Sequence, residues 1–98
     1  EIAAKLLMTA EKYQVLPLKE KCAMFLKKEM SEENVCDILS LADAVNHEFL
    51  KSTSIEYIIA KSTTVLSSPQ WIPWMKNNME SATVIFTKLT LSLSSAKN

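Results

Sequence analysis

The chain has 98 residues, 48% of them hydrophobic, which suits one small domain or half of a larger one. Glycine is absent, which excludes glycine phosphate loops and the tight glycine turns that link strands. The net charge is zero and all 11 basic residues are lysine, so we expect no nucleic-acid partner. No apolar run approaches the roughly 20 residues that span a bilayer, so we expect no membrane partner either.

Two helices are predicted within residues 1–29. The first runs from Glu1 to about Tyr13, and Pro17 suits the first position of the second, where a missing N–H costs nothing. We expect the side chains that dock these helices onto the rest of the protein to be Tyr13, Cys22, Phe25 and Leu26. If Phe25 is core, its truncation to alanine should cost about 3–5 kcal/mol.

Residues 31–61 predict two helices with a very short connection. Ser31 can cap the first helix through its hydroxyl, and Asn46 suits the left-handed residue that ends it. The second helix is apolar on two sides, with Phe49, Leu50, Tyr57 and Ile58 on one and Ile55 and Ile59 on the other. A helix with two apolar sides must be covered on both, so we expect it at the centre of an all-helical module.

The last third of the chain predicts a Ser/Thr-rich step at 62–68, a short helix opened by Pro69, and a terminal helix from about Met79 to Leu89 or beyond. Trp71 and Trp74 indicate an anchor that seals the short helix onto the core rather than a binding pocket. The terminal helix carries more apolar residues than one inward stripe can hold, so some must face outward. The fold class is therefore all-α, a small antiparallel bundle of about six helices.

No catalytic set is recognisable, so we expect no enzyme, cofactor or metal. His47, the single histidine, lies at a helix junction without a nucleophile pattern and is expected to be structural or solvent-exposed. Cys22 and Cys36 are expected to be reduced thiols in or near the core, as in the cytosol or nucleus. Residues 31–60 carry six acids against Lys51 alone. This acidic middle is either a surface that steers a basic partner or an ordinary solvated helix face.

Several of these residues together resemble a known family. Glu11-Lys12-Tyr13-Gln14, Leu18-Lys19, Cys22 and Leu26 resemble the closing helices of a BTB (POZ) domain. The residues from Met30-Ser31 to Ala42-Asp43, followed by Leu50-Lys51 and Tyr57-Ile58, resemble the 3-box and BACK segment that comes after it. The resemblance is to speckle-type POZ proteins in particular, which pair a substrate-binding MATH domain with BTB and a short BACK. It assigns residues 1–29 to the end of BTB and 30–98 to a 3-box/BACK-like segment.

The resemblance implies part of a substrate adaptor that bridges a cullin-3 ubiquitin ligase to its substrate and self-associates, in the nucleus, the cytoplasm or both. Because the chain starts with Glu1, we expect a piece of a longer protein. The resemblance implies that its substrate binds through a domain absent here. The alternative is a helical oligomerisation module of a BTB transcriptional or scaffold protein without cullin recruitment. The implied contacts for the cullin-3 N-terminal region are Asn34, Asp37, Ile38, Leu41, Asp43 and Val45, with the alternative that Ile38 and Val45 are pure core. Those for self-association are Val84, Phe86 and Leu89, with the alternative that the last helix is clamped under Trp71 and Trp74 and completes the core.

Overall fold

The computed structural model describes residues 2–96, and within this range the chain is all-helical, as predicted. The helices are α1 (Ile2–Lys12), α2 (Leu16–Lys28), α3 (Val35–Ala44), α4 (Glu48–Ala60), α5 (Ser62–Leu66), α6 (Trp71–Asn77) and α7 (Met79–Ala96). The helix beyond the expected six is α5, a short helix inside the Ser/Thr-rich step. None of the described helices is long and apolar enough to cross a bilayer.

Left-handed residues end the first helix of each helical pair. Gln14 follows α1 and Asn46 follows α3, and both have a φ angle of 55°. The next backbone N–H, that of Val15 or His47, donates to the carbonyl five residues earlier at 2.9 Å. This Schellman arrangement satisfies carbonyls that a helix end leaves free and turns the chain sharply. The prediction for Asn46 is confirmed.

The start of α3 differs from the prediction, because the helix begins at Val35 and its cap residue is Asn34 rather than Ser31. Residues 31–34 form a turn held by the Asn34 side chain. Its Oδ1 accepts from the backbone N–H of Ser31 at 2.7 Å, and its Nδ2 donates to the carbonyl of Glu29 at 2.9 Å. Asparagine competes well for such local bonds because its amide offers both a donor and an acceptor.

Buried apolar side chains form two clusters, and α3 and α4 contribute to both. The first cluster contains Ala3, Leu7, Cys22, Ala23, Leu26, Ile38, Ala42, Val45 and Leu50. The second contains Val35, Cys36, Leu39, Ile55, Ile58, Val65, Trp71, Trp74, Ala82 and Ile85. Met30 packs against both. Because α4 contacts α2, α3, α5 and α7, its predicted central position is confirmed. The first cluster also crosses the boundary that the resemblance placed after residue 29.

The predicted core of the first two helices is correct for Cys22 and Leu26 and wrong for Tyr13 and Phe25. Leu26 is 2% exposed, whereas Phe25 is 49% exposed and Tyr13 more so. The cause is rotation about the helix: each residue advances by about 100°, so Phe25 lies about 100° from the Leu26 side chain that enters the core. Phe25 instead lines an open apolar groove between α1 and α2 with Ile2, Leu6 and Leu18.

The tryptophan anchor predicted in the last third is confirmed. Trp71 and Trp74 are buried, and their rings lie 5.3 Å apart between centroids. Pro73 does not interrupt α6, because it is the third residue of the helix, where the backbone N–H would have no intrahelical partner. The indole N–H of Trp74 donates to the Ser40 hydroxyl at 2.7 Å, which fixes α6 against α3.

Candidate functional site on helix α3

The predicted cullin contacts do not form one surface. Ile38 and Val45 are 5% and 4% exposed and belong to the first buried cluster, so the prediction is corrected for them: their side chains are not accessible. Asn34, Asp37 and Leu41 follow one another at spacings of three and four residues and therefore share one side of the helix. We call these three residues the α3 face.

The α3 face combines an amide, a carboxylate and a leucine. Asp37 is exposed, while Asn34 and Leu41 are partly buried, Leu41 because it packs against the edge of the first cluster. Asp37 lies in the first turn of α3, where its charge is favoured by the helix dipole. Ala44, also exposed, lies three residues beyond Leu41 and extends the face without bulk. Such a strip can accept an apolar side chain beside Leu41 and a donor group beside Asp37.

Asp43 lies apart from this face. It is two residues beyond Leu41, which places it about 160° away around the helix. There its Oδ1 is 3.0 Å from the Nζ of Lys51. The hydrogen bond that the Lys51 ammonium donates to this carboxylate, and then the charge of the carboxylate, raise the pKa of Lys51. Asp43 also lines a shallow depression with Ile55, Glu80 and Val84, so its partners are on α4 and α7.

His47 is structural, which is one of the two predicted alternatives. It is the cap residue of α4, and its Nδ1 accepts from the backbone N–H of Leu50 at 3.1 Å. The acceptor role of Nδ1 puts the ring proton on Nε2, which lies 3.1 Å from Glu20 Oε1. The imidazole thus ties α2 to the start of α4. The sequence pattern could not show this, because Glu20 and His47 are 27 positions apart.

Replacing His47 with alanine is expected to lower the free energy of unfolding by about 0.5–2 kcal/mol, as for other lost helix caps. His47→Asn should recover part of this loss, since asparagine caps helices well but cannot reach Glu20. Urea unfolding followed by circular dichroism measures both. An asparagine variant no more stable than the alanine variant would contradict the capping role.

Cys36 is buried in the second cluster, and burial, followed by the nearby charge of Asp37, raises the pKa of its thiol from 9.0 to about 11. We expect the folded protein to resist iodoacetamide at Cys36, because a pKa of about 11 lowers the thiolate fraction about 100-fold at pH 8. Mass spectrometry of the Cys22→Ser variant, folded and in urea, measures the labelling of Cys36. Equal labelling rates in the two states would refute the predicted resistance.

The raised pKa of the Cys36 thiol also affects stability. The neutral thiol favours folding below pH 9.0, and its contribution to the free energy of unfolding is lost as the pH rises through about 11.

The predicted self-association residues are divided between two sides of α7. Val84 and Phe86 are both exposed, and Leu89 is partly buried against the second cluster. Two positions along a helix correspond to about 200° of rotation, so Val84 and Phe86 lie on opposite flanks. Leu91 continues the Val84 flank and Leu93 the Phe86 flank, and both are exposed. The prediction that apolar residues of the last helix face outward is confirmed.

The Phe86 flank adjoins the tryptophan anchor. The Phe86 ring stands edge-on to Trp71, with centroids 6.0 Å apart and an interplanar angle of 88°. Val84, in contrast, borders the depression around Asp43 and Lys51. A flat partner surface therefore cannot cover both flanks at once, and the flank that carries Phe86 is the one supported by the tryptophan anchor.

The residues that the sequence did not single out are those that hold the α3 face in place. The side-chain amide of Gln70 donates to the carbonyls of Glu32 and Glu33, at 3.4 and 3.0 Å, and so fastens the turn before α3 to the α5–α6 connection. Within residues 2–96 no three His, Cys, Asp or Glu side chains are placed to hold a metal ion. The α3 face, held in this way, offers a contact surface.

Comparison with known proteins identifies relatives for most of this chain. No family model matches it. It is 29% identical over 89 residues to protein maternal effect lethal 26 of Caenorhabditis elegans. The matched region is 91% of this chain and 22% of that protein. It is 30% identical over 78 residues to BTB and MATH domain-containing protein 42 of the same organism, covering 80% and 19%. It is 37% identical over 67 residues to BTB/POZ and MATH domain-containing protein 4 of Arabidopsis thaliana, covering 68% and 14%.

The chain thus spans between 14% and 22% of the length of these relatives. Two of the three are named for BTB and MATH domains, in organisms as distant as a nematode and a plant. The resemblance noted in the sequence therefore has independent support at this level. The chain is related in sequence to BTB-containing proteins.

Proposed function

We propose that this chain is part of a BTB substrate adaptor that bridges a cullin-3 ubiquitin ligase to its substrate, without enzymatic activity of its own. Residues 1–29 would close the BTB domain, and 30–98 would form a 3-box/BACK-like segment of the speckle-type POZ kind. The similarity to BTB and MATH proteins over 68% to 80% of the chain supports this proposal. The substrate would bind through another domain, and the adaptor would work in the nucleus, the cytoplasm or both.

The α3 face is the proposed contact for the N-terminal region of cullin-3. Leu41 offers apolar surface, and the exposed Asp37 carboxylate beside it can accept from a basic or hydrogen-bonding group. Ile38 and Val45 support this face from the core side and hold its backbone in place. Rigid support of this kind lowers the entropy lost on binding.

The proposal is tested by a titration of the cullin-3 N-terminal region against the full-length parent protein. Leu41→Asp should weaken binding by at least about tenfold, the usual effect of removing an interface anchor. Leu91→Asp is the matched control, since Leu91 is exposed on α7, away from the α3 face. Undiminished binding by a folded Leu41→Asp protein would refute the contact.

A second candidate function is a helical oligomerisation module without cullin recruitment, and the exposed Phe86 flank favours it. Light scattering on Phe86→Lys tests the interface, with Val84→Lys on the opposite flank as control, and cullin-3 binding by the parent protein separates the two functions. A folded Phe86→Lys protein of lower mass identifies an interface, and an unfolded one identifies Phe86 as core. If self-association depends on Phe86 and the parent protein does not bind cullin-3, the second function is correct and the first is wrong.

A further inference from the structure

The connection between α5 and α6 contains a serine directly followed by proline. Ser68 precedes Pro69, and no other serine or threonine of the chain precedes a proline. Ser68 is partly exposed, and its neighbours Ser67, Pro69 and Gln70 are exposed. Helix α5 before it has five residues and buries only Val65, so local opening here breaks few contacts.

The Ser68 hydroxyl has a defined role in this connection. Its Oγ donates to the carbonyl of Val65 at 2.7 Å and so satisfies the end of α5. Ser68 also lines a shallow cleft together with Glu32, Glu33, Thr64, Pro69 and Gln70. The Gln70 amide crosses this cleft to the carbonyls of Glu32 and Glu33. The residues that line the cleft include two carboxylates and no lysine.

We propose that Ser68 is a phosphorylation site for a proline-directed serine/threonine kinase, and that the phosphate loosens the turn before α3. The γ-phosphoryl group of ATP is transferred to Ser68 Oγ, the hydroxyl proton passes to the base of the kinase, and ADP leaves. The modified side chain carries about −1.5 to −2 charges near pH 7.

The phosphate acts on the cleft in two ways. The Oγ–H that donated to Val65 is lost, and the new negative charge faces Glu32 and Glu33 without a lysine among the lining residues to compensate it. Repulsion across the cleft strains the bonds of Gln70 and so frees the 31–34 turn, which carries Asn34. If the α3 face binds cullin-3, phosphorylation weakens that binding, a consequence that rests on the proposed function.

The experiment incubates the folded full chain with a purified proline-directed kinase and Mg-ATP, and locates phosphate by mass spectrometry. We expect one phosphate on Ser68, none in Ser68→Ala, and unchanged labelling in Ser67→Ala.

Phosphorylation should also destabilise the protein. Because it removes one hydrogen bond, the melting temperature should fall by about 4–8 °C. The drop should shrink when Glu32→Gln and Glu33→Gln are combined, because the repulsion is removed.

Two outcomes would overturn the inference. One is the absence of phosphate on Ser68 in the folded chain under conditions that fully phosphorylate a control substrate. The other is a phosphorylated protein whose melting temperature is unchanged, or falls equally in the Glu32→Gln/Glu33→Gln variant. Cullin-3 binding is measured separately on the full-length parent protein, phosphorylated in the same way. A phosphorylated, loosened protein that never binds cullin-3 would reject the proposed function and leave the modification site standing.

Discussion

Replacing Trp71 with alanine should lower the free energy of unfolding by about 3–5 kcal/mol, a large part of the stability of a domain of this size. Trp71 is 4% exposed and belongs to the cluster that joins α3 and α4 to the last three helices. It contacts Trp74 by tilted stacking and Phe86 by an edge-on approach. Its removal leaves a cavity that these rigid neighbours cannot fill, so the loss exceeds the transfer free energy of the indole alone.

Ile72→Ala is the matched control for this variant. Ile72 is the next residue of α6 and is 56% exposed, so its truncation should change stability by less than about 1 kcal/mol. Trp71→Phe should fall between the two, because it keeps part of the aromatic contact. Urea unfolding monitored by circular dichroism at 222 nm gives all three values. If Ile72→Ala lowered the free energy of unfolding as much as Trp71→Ala does, the burial of the Trp71 side chain would be refuted.

Leu26→Ala is expected to cost about 2–5 kcal/mol, whereas Phe25→Ala should cost only about 1 kcal/mol. The two positions are adjacent on α2, but only Leu26 enters the cluster that connects α1 and α2 to α3 and α4. Because the phenylalanine is the larger side chain, size alone would give the opposite order. The pair therefore isolates burial from side-chain volume.

Both variants can be compared by thermal and urea unfolding under identical conditions. A Phe25→Ala protein as destabilised as Leu26→Ala would show that the groove between α1 and α2 is closed in solution and that Phe25 is core. The same result would restore the original expectation for this residue. Equal and small effects would instead mean that the α1–α2 pair contributes little to global stability.

Hydrophobic periodicity predicted the helical fold, the central position of α4 and the tryptophan anchor, because each depends on wide apolar faces or large aromatic side chains. The periodicity did not determine how each helix is rotated about its own axis, and so which side chains face the core. Cys22, Phe25 and Leu26 fit one broad apolar arc, and the packing of α2 against α1 and α4 decides which of them faces inward. The same limit explains why Ile38 and Val45 were grouped with Leu41.

Side-chain hydrogen bonds to backbone groups outside a helix were the other limit. The start of α3 has two residues able to cap, Ser31 and Asn34, and the Asn34 amide instead holds the turn before the helix through its bonds to Ser31 and Glu29. Likewise, the Gln70 bonds to the 31–34 turn join residues 37 and 38 positions apart, and no local pattern marks them. The candidate site could therefore be named by its helix but not by its accessible side chains.

The sharing of α3 and α4 between both clusters has a consequence for how the protein opens. A helical pair that serves two cores cannot be exposed by melting either end alone, so its amide protons should exchange with deuterium only through global unfolding. Amides of α1 and of the five-residue α5 can exchange through partial openings that require less free energy than global unfolding. We therefore expect the α3–α4 pair to stay folded while either end of the chain unfolds locally. Any partner that binds the α3 face meets the part of the molecule that opens least often.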